Sequence, residues 1–453
     1  MKTVAPGGRT LEIAERVTRF GAGDLDAATI AMVKRLIADG VAVAVAGSSE
    51  EAPRMIAEHA REQHCGERST VWRFGFKTSP AQAAFVNAAS MHVLDFEPMS
   101  SPPTHAVSPT VPAAFALGES LGSSGREIVA ACAKGFEMQG RVLAAGIHVR
   151  GSLPFHTPGV VGVMGSTVAS AHLLGLTAGQ LGYALGIATS RCSGLSANTG
   201  SMVKCTHCGN AAAAGLDAAG LAKRGFVAHP NIFEAPRGYV ATFFPQHFDY
   251  DTMLAYGGPF RCVDPGMAIK FYPSKYPTHF VITAALGLRD RVPDPLRIRE
   301  VLIRTPDIDD ADRPQPRSGL EGKFSFQYTT SIALLDGHVG VRSFTDERRF
   351  APDVVALLGK CKVVRDPNAS NDTRNMHVEI RVTLDDGSTQ SQVCNRPPGS
   401  WGEAIDPNQH GAKLRDCLGT RLGGAEVERV LTMLDDLDRA TPTQVAHLMK
   451  LLA

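Results

Sequence analysis

The sequence predicts a mainly α protein: an all-helical domain containing both termini, and a smaller α+β domain inserted between its parts. Three features lead there. Capping signals and apolar stripes at helical spacing recur up to about Gly258, with no convincing run of alternating strand. After Pro259–Pro265 two segments alternate apolar and polar residues at the period of a half-buried strand. From Trp401 onward the helical pattern returns. The expected domains are residues 1–266, 267–400 and 401–453, the last rejoining the first. A chain of 453 residues exceeds one ordinary core, which agrees with more than one compact unit.

Taken in order, Asp26 caps AATIAMVKRLIADG, whose Ile30, Val33, Ile37 and Val41 share one face, with Gly40 near the expected end. A second helix is expected from Glu50 to about Gln63. Ser79-Pro80 reads as a cap followed by proline at the first helical position. That helix leads into a proline-broken loop, Asp95 to Pro109, with Asp95 and His105 toward its ends. Helices are expected near Thr110–Leu121 and Gly125–Ala145. His156 lies in a proline-bracketed loop ahead of a helix rich in Gly, Ala and Ser, a composition suited to close packing. Thr177 and Gln180 form a capping box.

In the α+β part, Val301, Ile303 and Thr305 fall on one strand face. Val378, Ile380, Val382 and Leu384 fall on another, and Asp386-Gly387 forms a hairpin turn. Thr441-Pro442-Thr443-Gln444 opens the last helix.

Lys plus Arg is 46 and Asp plus Glu 45, so no global field recruits nucleic acid or an anionic membrane, and any anion site is local. The first ten residues lack the apolar core of a signal peptide, and the apolar run Val41 to Ala46 is too short to span a bilayer. The protein is therefore expected to be soluble. Nine cysteines scattered from Cys65 to Cys417 suit reduced thiols in a cytoplasmic enzyme better than a disulfide framework.

Chemistry concentrates around Ser193–Ala214, where a Gly/Ser-rich approach precedes Lys204, Cys205, His207 and Cys208. Gly200 can take positive φ there, and a lysine in such a loop holds a carboxylate or phosphate as a point charge. CTHC offers too few partners for a zinc site and lacks the strand-to-helix setting of a redox pair, so no metal is expected and a thiol- or metal-based protein is the lesser alternative. GxGxxG, P-loop, GxSxG and HExxH signatures are absent. What remains is Asp95, His105, His156, Lys204, His207, Lys270, Lys275, His279 and Tyr328, read as imidazoles and cations in loops. As a group they suit a small polyanion, with lysines on carboxylates and imidazoles moving protons beside them.

Five segments carry a resemblance: LDFEPMSSPPTHAVSP, FHTPGVVGVMGSTVASAHLLGL, the stretch from ALGIATSRCSG through VKCTHCGNAAAAG to LAKRGF, IKFYPSKYPTHFVITAAL and SFQYTTSIALLDG. In order and spacing they resemble the MmgE/PrpD family, which includes 2-methylcitrate dehydratases, cis-aconitate decarboxylases and an iminodisuccinate epimerase. The resemblance runs over nearly the whole chain and is most specific at Lys204–Ala212 and Phe155–Ser166. It implies a helical domain carrying both termini, an α+β lid, a homodimer, no cofactor, and a small polycarboxylate substrate. By position it implies Asp95, His105, His156 and Tyr328 as catalytic residues. Lys204, Lys270, Lys275, His207 and His279 are expected to bind substrate. Two departures stand out: Met99 replaces a threonine of DFDDT, and Lys275 stands where decarboxylase-like members have histidine. The expected activity is a 2-methylcitrate dehydratase-like lyase, with decarboxylation or epimerisation as alternatives. The helical domain and the lid are expected to contribute jointly to the site.

Overall fold

The computed structural model describes residues 8–146 and 154–453. Residues 1–7 and 147–153 lie outside them. The described chain forms two compact units, one of residues 1–93, 97–268 and 406–453 and one of 94–96 and 269–405. These limits compare with the expected boundaries at 266 and 400, and the strip Leu94–Phe96 joins the second unit.

The first unit opens with α1 (Gly8–Arg19), α2 (Ala27–Gly47) and α3 (Glu51–Glu62). Asp26 accepts from Thr29 N and caps α2 as expected. The helix runs past the predicted end at Gly40, because that glycine serves packing: a Cβ there would lie 2.6 Å from Val107 Cγ1. A small hairpin, β1 (Ser69–Val71) with β2 (Phe76–Thr78), follows where only helices were expected. Its strands are three residues each, too short for alternation to register.

Next come α4 (Pro80–His92), α5 (Val107–Leu121), α6 (Gly125–Gly146), α7 (Thr157–Leu173), α8 (Ala178–Thr189) and α9 (Val203–Lys223). Ser79 caps α4, and the Thr177–Gln180 box starts α8. Helix α5 begins three residues before the expected Thr110, since Pro109 sits in its first turn, where no N–H is required. Helix α7 is buried along most of its length; at Gly215 on α9 a Cβ would meet Ser166 Oγ at 1.9 Å. The small side chains there permit two backbones to approach. Two short helices, α10 (Tyr239–Phe243) and α11 (Tyr250–Leu254), complete this run.

The second unit contains α12 (Tyr276–Leu286), β3 (Ile298–Thr305), α13 (Gly319–Gly322), α14 (Phe326–Asp336), α15 (Asp346–Arg349), α16 (Pro352–Leu358), β4 (Cys361–Arg365), β5 (Val378–Leu384) and β6 (Thr389–Cys394). The sheet order is β4-β3-β5-β6, with β3 parallel to β4 and the other pairs antiparallel. The predicted inward faces hold: Val301, Ile303, Val378, Ile380 and Val382 are buried. Gly387 turns the β5–β6 hairpin with φ of 83°.

The chain then rejoins the first unit through α17 (Pro407–Gly419), α18 (Gly424–Asp435) and α19 (Pro442–Leu452), the last started by the Thr441–Gln444 box. Helix α17 packs on α2, where Lys413 and His410 both meet the buried Asp39 carboxylate. No helix of the described residues is long and apolar enough to cross a membrane.

Candidate functional site

In the first unit the predicted histidines come together. His105 follows the proline-broken loop, His156 takes the N-cap position of α7, and His207 lies on α9. His156 Nδ1 is 3.1 Å from His207 Nδ1. The His105 and His156 rings are 6.1 Å apart between centroids. Lys204 and His207, expected in a loop, instead occupy the first two turns of α9. The Gly-rich approach sits just ahead of it, and Gly200 does take positive φ, at 95°. Lys204 is 8% exposed, so its ammonium acts on its surroundings with little solvent screening.

Two residues that were not singled out complete the cluster. His92 ends α4, 4.5 Å from the His105 ring and 5.3 Å from the His156 ring. Glu97 is wholly buried, with one oxygen 2.5 Å from His92 Nδ1 and 3.1 Å from His105 Nδ1, and it accepts from Ser108 Oγ at 2.6 Å. A buried glutamate has no local sequence signature. Its only cue was a carboxylate eight residues from His105 across a proline-rich loop.

The electrostatics follow from this packing. Burial lowers the pKa of His92 to about 4, and Lys204 pushes the same way. Burial and then Lys204 also hold His156 well below its usual range, and His207 is lowered for the same two reasons. Burial opposes ionisation of Glu97, but the facing His92 and His105 outweigh it and hold the carboxyl well below the usual range. The result is a set of neutral imidazoles backed by one anion and flanked by one cation. An anionic Glu97 accepts Nδ1–H from His92 and faces Nδ1 of His105, which selects their tautomers.

The second unit holds the other predicted residues. Asp95 has φ of 52°, a backbone that Asp tolerates better than most, and its carboxylate lies 2.6 Å from Lys270 Nζ. Both are buried. Lys275 precedes α12 and pairs with Asp310. His279, on α12 and not in a loop, is fully buried against Tyr276 and Tyr272, each with a ring centroid 5.1 Å away. Tyr328, likewise on a helix, donates its hydroxyl to Ser343 O at 2.5 Å, and burial raises its pKa.

The CTHC cysteines face the interior of the first unit. Cys205 Sγ donates to Met202 O at 3.1 Å, and burial raises its pKa to about 12, so a thiolate is disfavoured at neutral pH. Cys208 is buried in an apolar cluster with Ala212 and Leu216. The Cys205→Ser, Cys208→Ser double variant is therefore expected to keep most of its turnover, with at most a modest fall in melting temperature. Complete loss of turnover with an unchanged melting curve would restore a role for the thiols.

The first unit thus gathers histidines beside a buried lysine and a buried glutamate, and the second holds a buried lysine of its own. The chain belongs to the MmgE/PrpD family. The MmgE/PrpD N-terminal domain matches residues 11–251 and the C-terminal domain residues 272–439. The second match runs into α17 and α18, which pack in the first unit. Among relatives, cis-aconitate decarboxylase of Mus musculus is 30% identical over 419 residues, covering 89% of this chain and 86% of that protein. Cis-aconitate decarboxylase of Homo sapiens is 29% identical over 436 residues, with coverages of 92% and 89%. The Aspergillus terreus protein of the same name is 25% identical over 480 residues, with coverages of 99% and 96%.

Proposed function

We propose that the protein is a lyase that decarboxylates a small unsaturated tricarboxylate of the cis-aconitate type. The observation that carries this reading is the gathering of His105, His156 and His207 beside buried Lys204, in a chain whose relatives are cis-aconitate decarboxylases. In such a substrate the departing carboxylate sits on the carbon next to the double bond. When its C–C bond breaks, CO2 leaves and the bonding pair forms a terminal double bond. The old double-bond pair then takes a proton at the carbon bearing the far carboxylate.

Charge accumulates on that carboxylate as the bond breaks, and Lys204 would stabilise it. His105 or His156 would deliver the proton. His207, beside His156, would line the substrate in the first unit; in the second unit Lys270, Lys275 and His279 are the residues to which the family resemblance would assign carboxylate binding. Asp95 would hold Lys270, while Tyr328, committed to Ser343, would anchor α14. In this reading the enzyme needs no cofactor and works as a cytoplasmic homodimer. The nine free cysteines support a reducing compartment.

Dehydration of a citrate-type substrate is the second reading, favoured by Lys275 in place of the histidine of decarboxylase-like members. Epimerisation of an aminated dicarboxylate shares the same carbanion. Incubation with cis-aconitate, citrate, 2-methylcitrate and iminodisuccinate in heavy water, followed by NMR, separates these outcomes. Decarboxylation places one deuterium on the new methylene as CO2 appears. Loss of water from 2-methylcitrate with cis-aconitate untouched would replace the first reading by the second.

Glu97 has a place in this mechanism as the group that sets the His105 tautomer. Glu97→Gln is expected to lower kcat by about tenfold or more, since general acid–base assistance is worth roughly a hundredfold or more when intact. KM should change little, and the pH profile should shift, with Glu97→Asp recovering part of the loss. An increase in KM at unchanged kcat would reassign Glu97 to substrate binding.

A further inference from the structure

We infer that His92, His105 and His156 form a binding site for one first-row transition-metal ion such as Zn2+, and that the bound ion shuts down the proton-transfer centre. One ring nitrogen from each residue lies within 4.8 Å of the other two. Tetrahedral zinc with Zn–N bonds of about 2.05 Å places ligand nitrogens about 3.3 Å apart. Closing the set thus requires movements of about 1.5 Å or less, within reach of modest side-chain rotation.

A second observation points to a ligand at the same place. His92 Nε2 is buried and has no hydrogen-bond partner among the described residues. Such an atom is costly where nothing satisfies it, and a metal ion would satisfy it. The opposite nitrogen, Nδ1, is held by Glu97, which also faces His105 Nδ1. A carboxylate behind an imidazole fixes the ring and raises its basicity toward a metal, and here one carboxylate serves two rings.

Three imidazoles with a fourth position open suit zinc, cobalt or nickel better than hard cations, which prefer oxygen. The site is separate from the CTHC cysteines, on which the expectation of no metal rested. Lys204 acts electrostatically on His92 and His156 and works against a cation, while the Glu97 anion works for it. The inhibitory half of the inference rests on the proposed function; the binding half does not.

The test is titration of Co2+ into the metal-free full-length protein, followed by its visible d–d absorption, with Zn2+ as competitor. The expected result is one ion per chain with a four-coordinate spectrum. The affinity should weaken at least tenfold in His92→Gln and also in His156→Ala, two variants chosen so that poor folding of one leaves the other informative. Absence of saturable absorption, or unchanged affinity in a folded variant, overturns the site. Zn2+ at saturating concentration should also stop turnover, and a chelator should restore it. Binding that both variants lose, with turnover indifferent to Zn2+, would leave the metal site standing and overturn the assignment of these histidines to proton transfer.

Discussion

Lys270→Ala is expected to lower the free energy of unfolding by about 3 kcal/mol or more, because it removes the cation facing a buried carboxylate. Lys270 is 0% exposed, its Nζ lies 2.6 Å from Asp95, and Asp95 itself is 4% exposed. The cost of stripping water from both charges has already been met in the folded state. Deleting one charge leaves the other in a medium that solvates it poorly. Replacing both, as in Asp95→Asn with Lys270→Met, should be milder than the single change, since the desolvation cost then disappears with the attraction. Urea denaturation of the parent, Asp95→Asn, Lys270→Met and the double variant measures the coupling directly. If Lys270→Ala melts like the parent protein, the pair is not a structural element, and Lys270 acts only as a cation for substrate.

Much of the fold was legible because its signals are local. Ser79, the Thr177–Gln180 box and the Thr441–Gln444 box each satisfy N–H groups within their own turn, so a short window contains both partners. The β3 and β5 faces were legible for a similar reason: alternation over seven or eight residues states which side is buried. Gly40 misled because a glycine that ends a helix and one that admits Val107 look alike in sequence. The hairpin of β1 and β2 is held by groups distant in sequence, Thr70 by Glu119 and Trp72 N by Asn87, so no short window shows it.

The candidate site divides in the same way. His105, His156, Lys204 and His207 were visible as chemistry-bearing residues near prolines and glycines. Glu97 and His92 were not, since what distinguishes them is complete burial and mutual contact, neither of which is a property of spacing. Asp95 was visible as a residue but its partner was not: its carboxylate meets Lys270, 175 positions away. The placement of Lys204 on a helix also escaped, because CTHC and the glycines before it mask a first turn that continues into an alanine-rich stretch.

Lys204→Ala is expected to lower turnover a hundredfold or more, as removal of one preorganised charge-stabilising group costs about 3 kcal/mol in the transition state. The residue stands in the first turn of α9, where the helix dipole also favours an anion, and only 8% of it reaches solvent. A charge so placed is already oriented before substrate arrives, so its loss should fall on kcat at least as heavily as on KM. Lys204→Arg should restore only part of the rate, because a planar fork cannot take the position of a compact ammonium without displacing its neighbours.

A second readout is independent of turnover. Lys204 lowers the pKa values of His92, His156 and His207, so removing its positive charge should raise all three. Histidine titrations followed by NMR in the substrate-free protein would show those upward shifts while thermal melting stays near that of the parent. Near-normal turnover in a variant with normal melting and unmoved histidine titrations would place Lys204 outside the site, and the reading of the imidazole cluster as its centre would fall with it.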